Sequence, residues 1–206
     1  MGDRAVTAAL DALAELPDGL RASGRHHIAH LQFVRPSDLE RFAELGVIAN
    51  FQPLWACRDE QNDQLTVPFV GDERAAWQYR IGSFLRLGAR VAFGSDWPVS
   101  SADPLQEMHV AVNRMLSTEL GQPGSVETTE PLLPDEAITI SAAVDAFTRG
   151  VAYVNHEEDV AGTLELGKLA DVAVHTQDVY AVPPAAIGHT TVALTVAGGQ
   201  IVHGDE

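Results

Sequence analysis

The stretch Arg90-Val-Ala-Phe-Gly-Ser-Asp96-Trp-Pro-Val99 constrains the chain more than any other. Val91 and Phe93 alternate with the small Ala92 and Gly94, a composition that suits a strand buried on both faces, as in a parallel sheet or barrel. Gly94 and Ser95 let the backbone bend afterwards, and Pro98, which has no N–H to donate, prevents the strand from continuing. Asp96 therefore arrives where the sheet opens to solvent. Taken alone, Ser-Asp-Trp-Pro is also an ordinary turn, because Ser and Asp side chains hydrogen-bond their own backbone. A second stretch, Arg25-His26-His27-Ile28-Ala29-His30-Leu31-Gln32, is another short strand ending in a side chain able to bind a metal. Asp96 follows His30 by 66 positions. A (β/α)8 barrel of about 250 residues spends roughly 31 on each unit, so this separation matches two complete units. It places His30 and Asp96 at the same end of one barrel, on strands two apart.

Length and charge limit what such a chain does. At 206 residues, 46% hydrophobic and 20% charged, it forms a core but falls short of a full barrel plus a second domain. A net charge of −16 repels the phosphates of nucleic acid and an anionic membrane surface alike, so neither is an expected partner. No run approaches the roughly 18 apolar residues that cross a bilayer, and no signal-like segment opens the chain. Cys57 is the single cysteine, which rules out an intrachain disulfide or a cysteine-based zinc knuckle and makes a reducing cytoplasm the expected location. Its simplest role is that of a small apolar filler.

In chain order, Val6, Leu10, Leu13 and Leu16 share one face of a helix that Pro17-Asp-Gly19 ends. With no strand ahead of it, this is an odd beginning for an α/β protein, and truncation is expected. Residues 36 to 46 read as a helix capped by Ser37 or Asp38 and stopped by Gly46. Val47 to Phe51 is the next strand, and irregular sequence up to Pro68 reads as a cover over an active site. A helix over Asp72 to Leu87, with Trp77, Phe84 and Leu85 inward and Gly88 as its stop, leads into the Asp96 strand. Asp103-Pro104 starts another helix, on which His109 is a surface or packing residue rather than a ligand. A polar loop over 117 to 134 and a helical segment over 135 to 154 follow. The pattern then changes to short β runs at Val172–His175, Val192–Val196 and Gln200–His203, the strands of a small antiparallel unit. The expected division is 1–155 and 156–206.

Gly2-Asp-Arg-Ala-Val6, the His30 strand, Leu45-Gly-Val-Ile-Ala-Asn-Phe-Gln-Pro-Leu54, Gly94-Ser-Asp-Trp-Pro-Val99 with Asp103-Pro-Leu105, and Gly162 to Asp171 occur in that order. In this collinear arrangement the chain resembles the C-terminal half of the metal-dependent amidohydrolases, in the YtcJ-like subgroup also called amidohydrolase family 3. The resemblance implies an α/β fold: the second half of a (β/α)8 TIM-type barrel, followed by part of a small β-sandwich built from both chain termini. It implies that His30 is a metal ligand and that Asp96 both binds metal and acts as general base. The turn from Gly162 to Asp171, with the single lysine Lys168, belongs to the sandwich and is structural.

The family's His-X-His pair, its strand-four lysine or glutamate and its strand-five histidine all fall before Met1. Two ligands therefore remain of a set that needs at least three around a catalytic zinc. The complete site is expected to hold one or two divalent ions, zinc first among them, and to hydrolyse an amide or similar non-peptide C–N bond of a small molecule. Trp55 and Trp97 either line its pocket or pack the barrel rim, and His26 and His27 pack or hydrogen-bond. The expected partner is a missing N-terminal half or a second copy of the chain. A reading from another class stays open, in which the chain is a non-catalytic half-barrel that binds a partner completing it.

Overall fold

Strands form where apolar residues occupy consecutive positions between turn formers, and three such runs build the first sheet. In the computed structural model, which describes residues 2–117 and 130–204, these are β1 (His27–Ala29), β2 (Ile48–Phe51) and β3 (Val91–Phe93), paired parallel in the order β1-β2-β3. Ile28 lies opposite Ala49, and Phe51 lies opposite Phe93. All three residues of β3 are buried, as a strand covered on both faces requires.

The connections are helical. Helices α1 (Asp3–Ala14) and α2 (Asp18–Gly24) precede β1, and α3 (Leu39–Leu45) joins β1 to β2. Val6 and Leu10 of α1 are buried, and Gly46 ends α3 at φ 66°. The capping expected of Asp38 does not occur: its carboxylate accepts hydrogen bonds from Thr7 and Arg41 instead. Asp3, at the start of α1, is held by Arg35 and Arg74. The Arg35 hydrogen bond is the main cause of its lowered pKa.

Between β2 and β3 the structure departs from the sequence reading. The expected irregular cover is largely helical, with a 3-10 turn at Pro53–Trp55, a π-helical turn at Gln61–Thr66 and α4 (Val67–Ala75). The single helix expected over 72 to 87 is two pieces, α4 and α5 (Ile81–Arg86). Backbone pairing with the chain leaving β1 breaks it. Val34 N–H donates to Trp77 O at 3.3 Å, Tyr79 N–H donates to Gln32 O at 3.1 Å, and Phe33 bridges Gln78. Tyr79 adopts φ 43°. These hydrogen bonds replace the i to i−4 ladder there, and no local propensity encodes them.

Phe84 of α5 seals the sheet, meeting Phe42 of α3 at 4.7 Å and Phe51 of β2 at 5.5 Å, both edge to face. After β3 comes α6 (Pro104–Asn113), whose first turn is capped by Asp103 accepting from Leu105 N–H at 2.9 Å. The expected loop over 117 to 134 falls mostly on residues 118–129, outside the described residues. The helical segment beyond it consists of a 3-10 turn at Pro134–Glu136, α7 (Ile140–Asp145), a π-helical turn at Ala146–Gly150 and α8 (Val151–Val154). This segment packs backbone to backbone on β3. A Cβ at Gly150 would stand 2.5 Å from Val91 O, so only glycine fits there.

The second sheet is antiparallel, in the order β4 (Val172–His175), β5 (Val192–Ala197) and β6 (Gln200–His203). Gly198 and Gly199, both at positive φ, make the two-residue turn between β5 and β6. Lys168 donates to Glu158 O and Thr163 Oγ1, and Asp171 accepts from Gly198 N–H; all three contacts lie within this part of the chain.

His109 ties α6 to the 3-10 helix Pro184–His189. It is buried, and both Gly188 N–H (3.2 Å) and Asn113 Nδ2 (3.3 Å) face its Nδ1. The Gly188 N–H donating to Nδ1 requires a lone pair there, so the imidazole is neutral. Burial lowers its pKa, and the nearby His189 adds to the effect. A histidine with a depressed folded-state pKa contributes stability above its ordinary value near 6.5, and this is lost as the pH falls through the folded-state value. Stability is therefore expected to fall from pH 7.5 to 5.5 by about 1 kcal/mol more in the native chain than in His109→Gln, whose amide oxygen still accepts from Gly188. Urea midpoints at the two pH values check this; equal pH dependence in both proteins refutes it.

Candidate active site

Three parallel strands end at one edge, and the residues leaving that edge turn sharply. β1 stops at Ala29, after which His30 and Leu31 have φ 70° and 49°. β3 stops at Phe93, and Asp96 has φ 57°. Non-glycine residues are uncommon in this left-handed region, and surrounding structure has to hold them there. For His30 that structure is Gln52, just past β2: its Oε1 accepts from His30 N–H at 3.0 Å and its Nε2 donates to Asn50 Oδ1 at 3.1 Å. For Asp96 it is the turn around it. Val99 N–H donates to Asp96 O at 2.8 Å, Trp97 N–H donates to Ser95 Oγ at 3.3 Å, and Ser100 Oγ donates to Ser95 O. The Trp97–Pro98 peptide is cis.

None of these hydrogen bonds uses the Asp96 side chain. Among the described residues, neither the His30 imidazole nor the Asp96 carboxylate has a hydrogen-bond partner, and His30 Nδ1 is buried. The imidazole stacks on Trp55, 5.2 Å between ring centres and 6° from parallel. The edge thus presents one imidazole and one carboxylate, neither of them hydrogen-bonded within the described residues. Among the described residues no three His, Cys, Asp or Glu side chains gather closely enough to hold a metal ion.

The 3-10 turn that carries Trp55 is held through Leu54 by a residue that the sequence reading overlooked. Glu107 on α6 is wholly buried and its Oε2 accepts from Leu54 N–H at 2.5 Å, while its Oε1 has no partner. Burial pushes its carboxyl up to about 8, against the lowering effect of the Leu54 hydrogen bond. A signal was present: Glu107, Val110, Ala111 and Arg114 lie at helical i, i+3, i+4, i+7 spacing, so Glu107 and Arg114 bracket an apolar face. Arg114 is also fully buried, with Nε donating to Leu132 O and a pKa lowered by burial to about 10. Cys57 is a buried free thiol pushed up by burial to about 12, which suits a filler and not a nucleophile.

Beside the His30–Trp55 stack is a cavity of about 300 Å³ whose walls include Gln32, Trp55, Asn62, Thr66, Tyr79 and Val99. Trp97 is not part of its wall and is 69% exposed. Of the two tryptophans, only Trp55 meets the cavity.

Residues 1–203 match the model of the amidohydrolase family. This chain belongs to the amidohydrolase family. It is 28% identical over 204 residues to the putative amidohydrolase YtcJ of Bacillus subtilis, covering 98% of this chain and 36% of that protein. It is 26% identical over 189 residues to the N-substituted formamide deformylase of Arthrobacter pascens, covering 86% of this chain and 31% of that protein. Among solved structures, an uncharacterized metal-dependent hydrolase from Pyrococcus horikoshii OT3 superposes with a TM-score of 0.65 at 30% identity, covering 89% of this chain and 34% of that one. The chain thus spans about a third of the length of the amidohydrolases it matches. Its mixed α/β architecture agrees with theirs, and no helix among the described residues is long and apolar enough to cross a membrane.

Proposed function

We propose that this chain supplies one side of the metal centre of a hydrolase that cleaves amide or similar non-peptide C–N bonds in small molecules. The observation that carries the reading is the pair of uncommitted side chains, His30 and Asp96, leaving the same sheet edge on left-handed backbone. An imidazole and a carboxylate are ligand types that zinc accepts, and they fit part of a donor set. Since catalytic zinc takes three protein ligands, at least one more donor comes from outside the described residues, from further sequence or a second chain. When bound, the ion supplies Lewis-acid polarisation of the carbonyl and a water acidic enough to be deprotonated near neutral pH. His30 binds as neutral imidazole, its ring plane kept by Trp55. Asp96 accepts the proton of the attacking water and returns it to the leaving nitrogen.

The larger architecture follows the same reading. β1 and β3 each have one strand neighbour among the described residues, and further parallel strands there would make a barrel. The antiparallel sheet leaves Val174, Ile201 and Val202 exposed, a surface that strands from elsewhere would cover in a sandwich, with the boundary near residue 155. A cytoplasmic setting fits a chain whose single cysteine, Cys57, is buried.

Calorimetric zinc titration, with hydrolysis assays on N-acyl and formamide substrates, tests the proposal. With two protein donors, this chain by itself is expected to bind zinc weakly and to show no turnover, and His30→Ala is expected to remove the binding. Zinc binding unchanged in both His30→Ala and Asp96→Asn puts the metal elsewhere and ends this reading.

A further inference from the structure

The exit of β2 carries two polar side chains that its burial gives no reason for. Val47-Ile-Ala-Asn-Phe-Gln-Pro53 is apolar apart from the amides of Asn50 and Gln52, whereas a parallel strand covered on both faces ordinarily carries apolar residues throughout. Spaced two apart on extended chain, the two side chains leave the same face, and Gln52 Nε2 donates to Asn50 Oδ1 at 3.1 Å. The other end of the Gln52 amide is committed as well. Its Oε1 accepts from His30 N–H at 3.0 Å, and Gln52 is 6% exposed. What it holds is a strained piece of chain: Leu31 N–H donates to Ala29 O at 3.0 Å, closing a three-residue turn on His30 at φ 70°, the rare form of that turn.

β2 is the middle strand of its sheet, so the residue leaving it stands between the chain leaving β1 and the chain leaving β3. On the β3 side, a Cβ added at Gly94 would lie 3.9 Å from Gln52 Nε2, and Gly94 N–H donates to Phe51 O at 3.0 Å. Gly94 is two residues ahead of Asp96. One amide thus touches both exits. Without its oxygen the His30 N–H loses its partner and the left-handed turn loses its tie to the sheet, so the imidazole is no longer kept on the face of Trp55. We propose that Gln52 is a positioning residue: it fixes the backbone that aims the His30 imidazole and spaces it from the chain that carries Asp96. The inference rests on the metal-centre reading for what His30 is aimed at, while the aim itself belongs to this chain and needs no metal.

The test reads the ring and the metal separately. In the metal-free chain, NMR measures how far the stacked Trp55 ring displaces the His30 ring-proton resonances upfield, those resonances being identified by their absence from His30→Ala. Gln52→Met keeps the length of the side chain and removes both hydrogen bonds. Gln52→Glu keeps an oxygen for His30 N–H, and its second oxygen meets Asn50 either as an O–H donor or as acceptor from the turned-over amide. The displacement is expected to fall at least about twofold in Gln52→Met and to persist in Gln52→Glu, and zinc affinity is expected to fall about tenfold in Gln52→Met, the low end for losing a group that orients a ligand. Asn50→Ala, which frees the other end of the amide, is expected to lower the displacement too and serves where the methionine variant does not fold. A purely structural Gln52 lowers the urea midpoint and leaves the ring shifts of the folded chain alone. That result, a displacement lost equally in Gln52→Glu, or zinc bound as tightly by Gln52→Met as by the native chain overturns the inference. A native chain that binds no zinc yet shows the ring effect fails the metal reading and keeps the role of Gln52, whereas zinc held through His30 with a ring indifferent to Gln52 does the reverse.

Discussion

Asp96→Asn is expected to lower kcat for C–N hydrolysis by about 10³-fold, within the range of about 10² to 10⁴ that a positioned general base contributes, with a much smaller change in KM. The assay uses zinc-loaded protein whose donor set is complete, whether the remaining donors come from further sequence or from a second chain. Asparagine keeps the size of the side chain and one acceptor oxygen, so the turn held by Ser95, Val99 and Ser100 survives. What it removes is the ability to take a proton and the negative charge offered to the ion. The same substitution is expected to weaken zinc binding, which equilibrium dialysis measures beside the kinetics. A loss of kcat under tenfold in fully metal-loaded protein would show that Asp96 does not serve as the base.

The second large effect concerns stability and has an unusual sign. Glu107 is buried with a folded-state pKa near 8, against 4.5 as its ordinary value. Between those values the folded chain holds a proton that the unfolded chain has released. Stability therefore declines as pH rises from about 4.5 to 8 and levels off above that, opposite to the usual carboxylate with a depressed pKa. Glu107→Gln stays neutral at every pH and still offers an oxygen to Leu54 N–H. It is expected to lie within about 1 kcal/mol of the native chain at pH 5 and to exceed it at pH 9 by on the order of 5 kcal/mol, the cost of ionising a group with this pKa displacement. Urea denaturation of both proteins at pH 5, 7 and 9 decides the matter. Parallel curves across that range would mean that the carboxyl is ionised or solvated in the folded chain. Because Glu107 holds the turn that carries Trp55, a change in tryptophan emission between pH 7 and 9 that is absent from Glu107→Gln is expected to accompany it.

How much of this was legible beforehand depended on whether the deciding forces were local. The buried strands around Ile48–Phe51 and Val91–Phe93 were readable because a strand covered on both faces demands apolar residues at every position. The glycine after α3, the Asp103-Pro104 start of α6 and the Gly198-Gly199 turn were readable because each satisfies a backbone requirement within four residues. The α4–α5 region was misread because its periodicity is helical on both sides of the break. The hydrogen bonds that open it come from Gln32 and Val34, more than forty positions earlier.

The site divides in the same way. Residue type and order by themselves picked out His30 and Asp96 as a nitrogen and an oxygen donor following apolar strands. Only the tertiary structure showed that both side chains are uncommitted, that Trp55 and not Trp97 meets the cavity, and that Glu107 braces the turn between them. Pattern determines which residues are apolar enough to be buried and where the backbone has to turn. Whether a polar side chain spends its hydrogen bonds inside the fold or keeps them for a ligand depends on neighbours distant in sequence, and those are assembled only by folding.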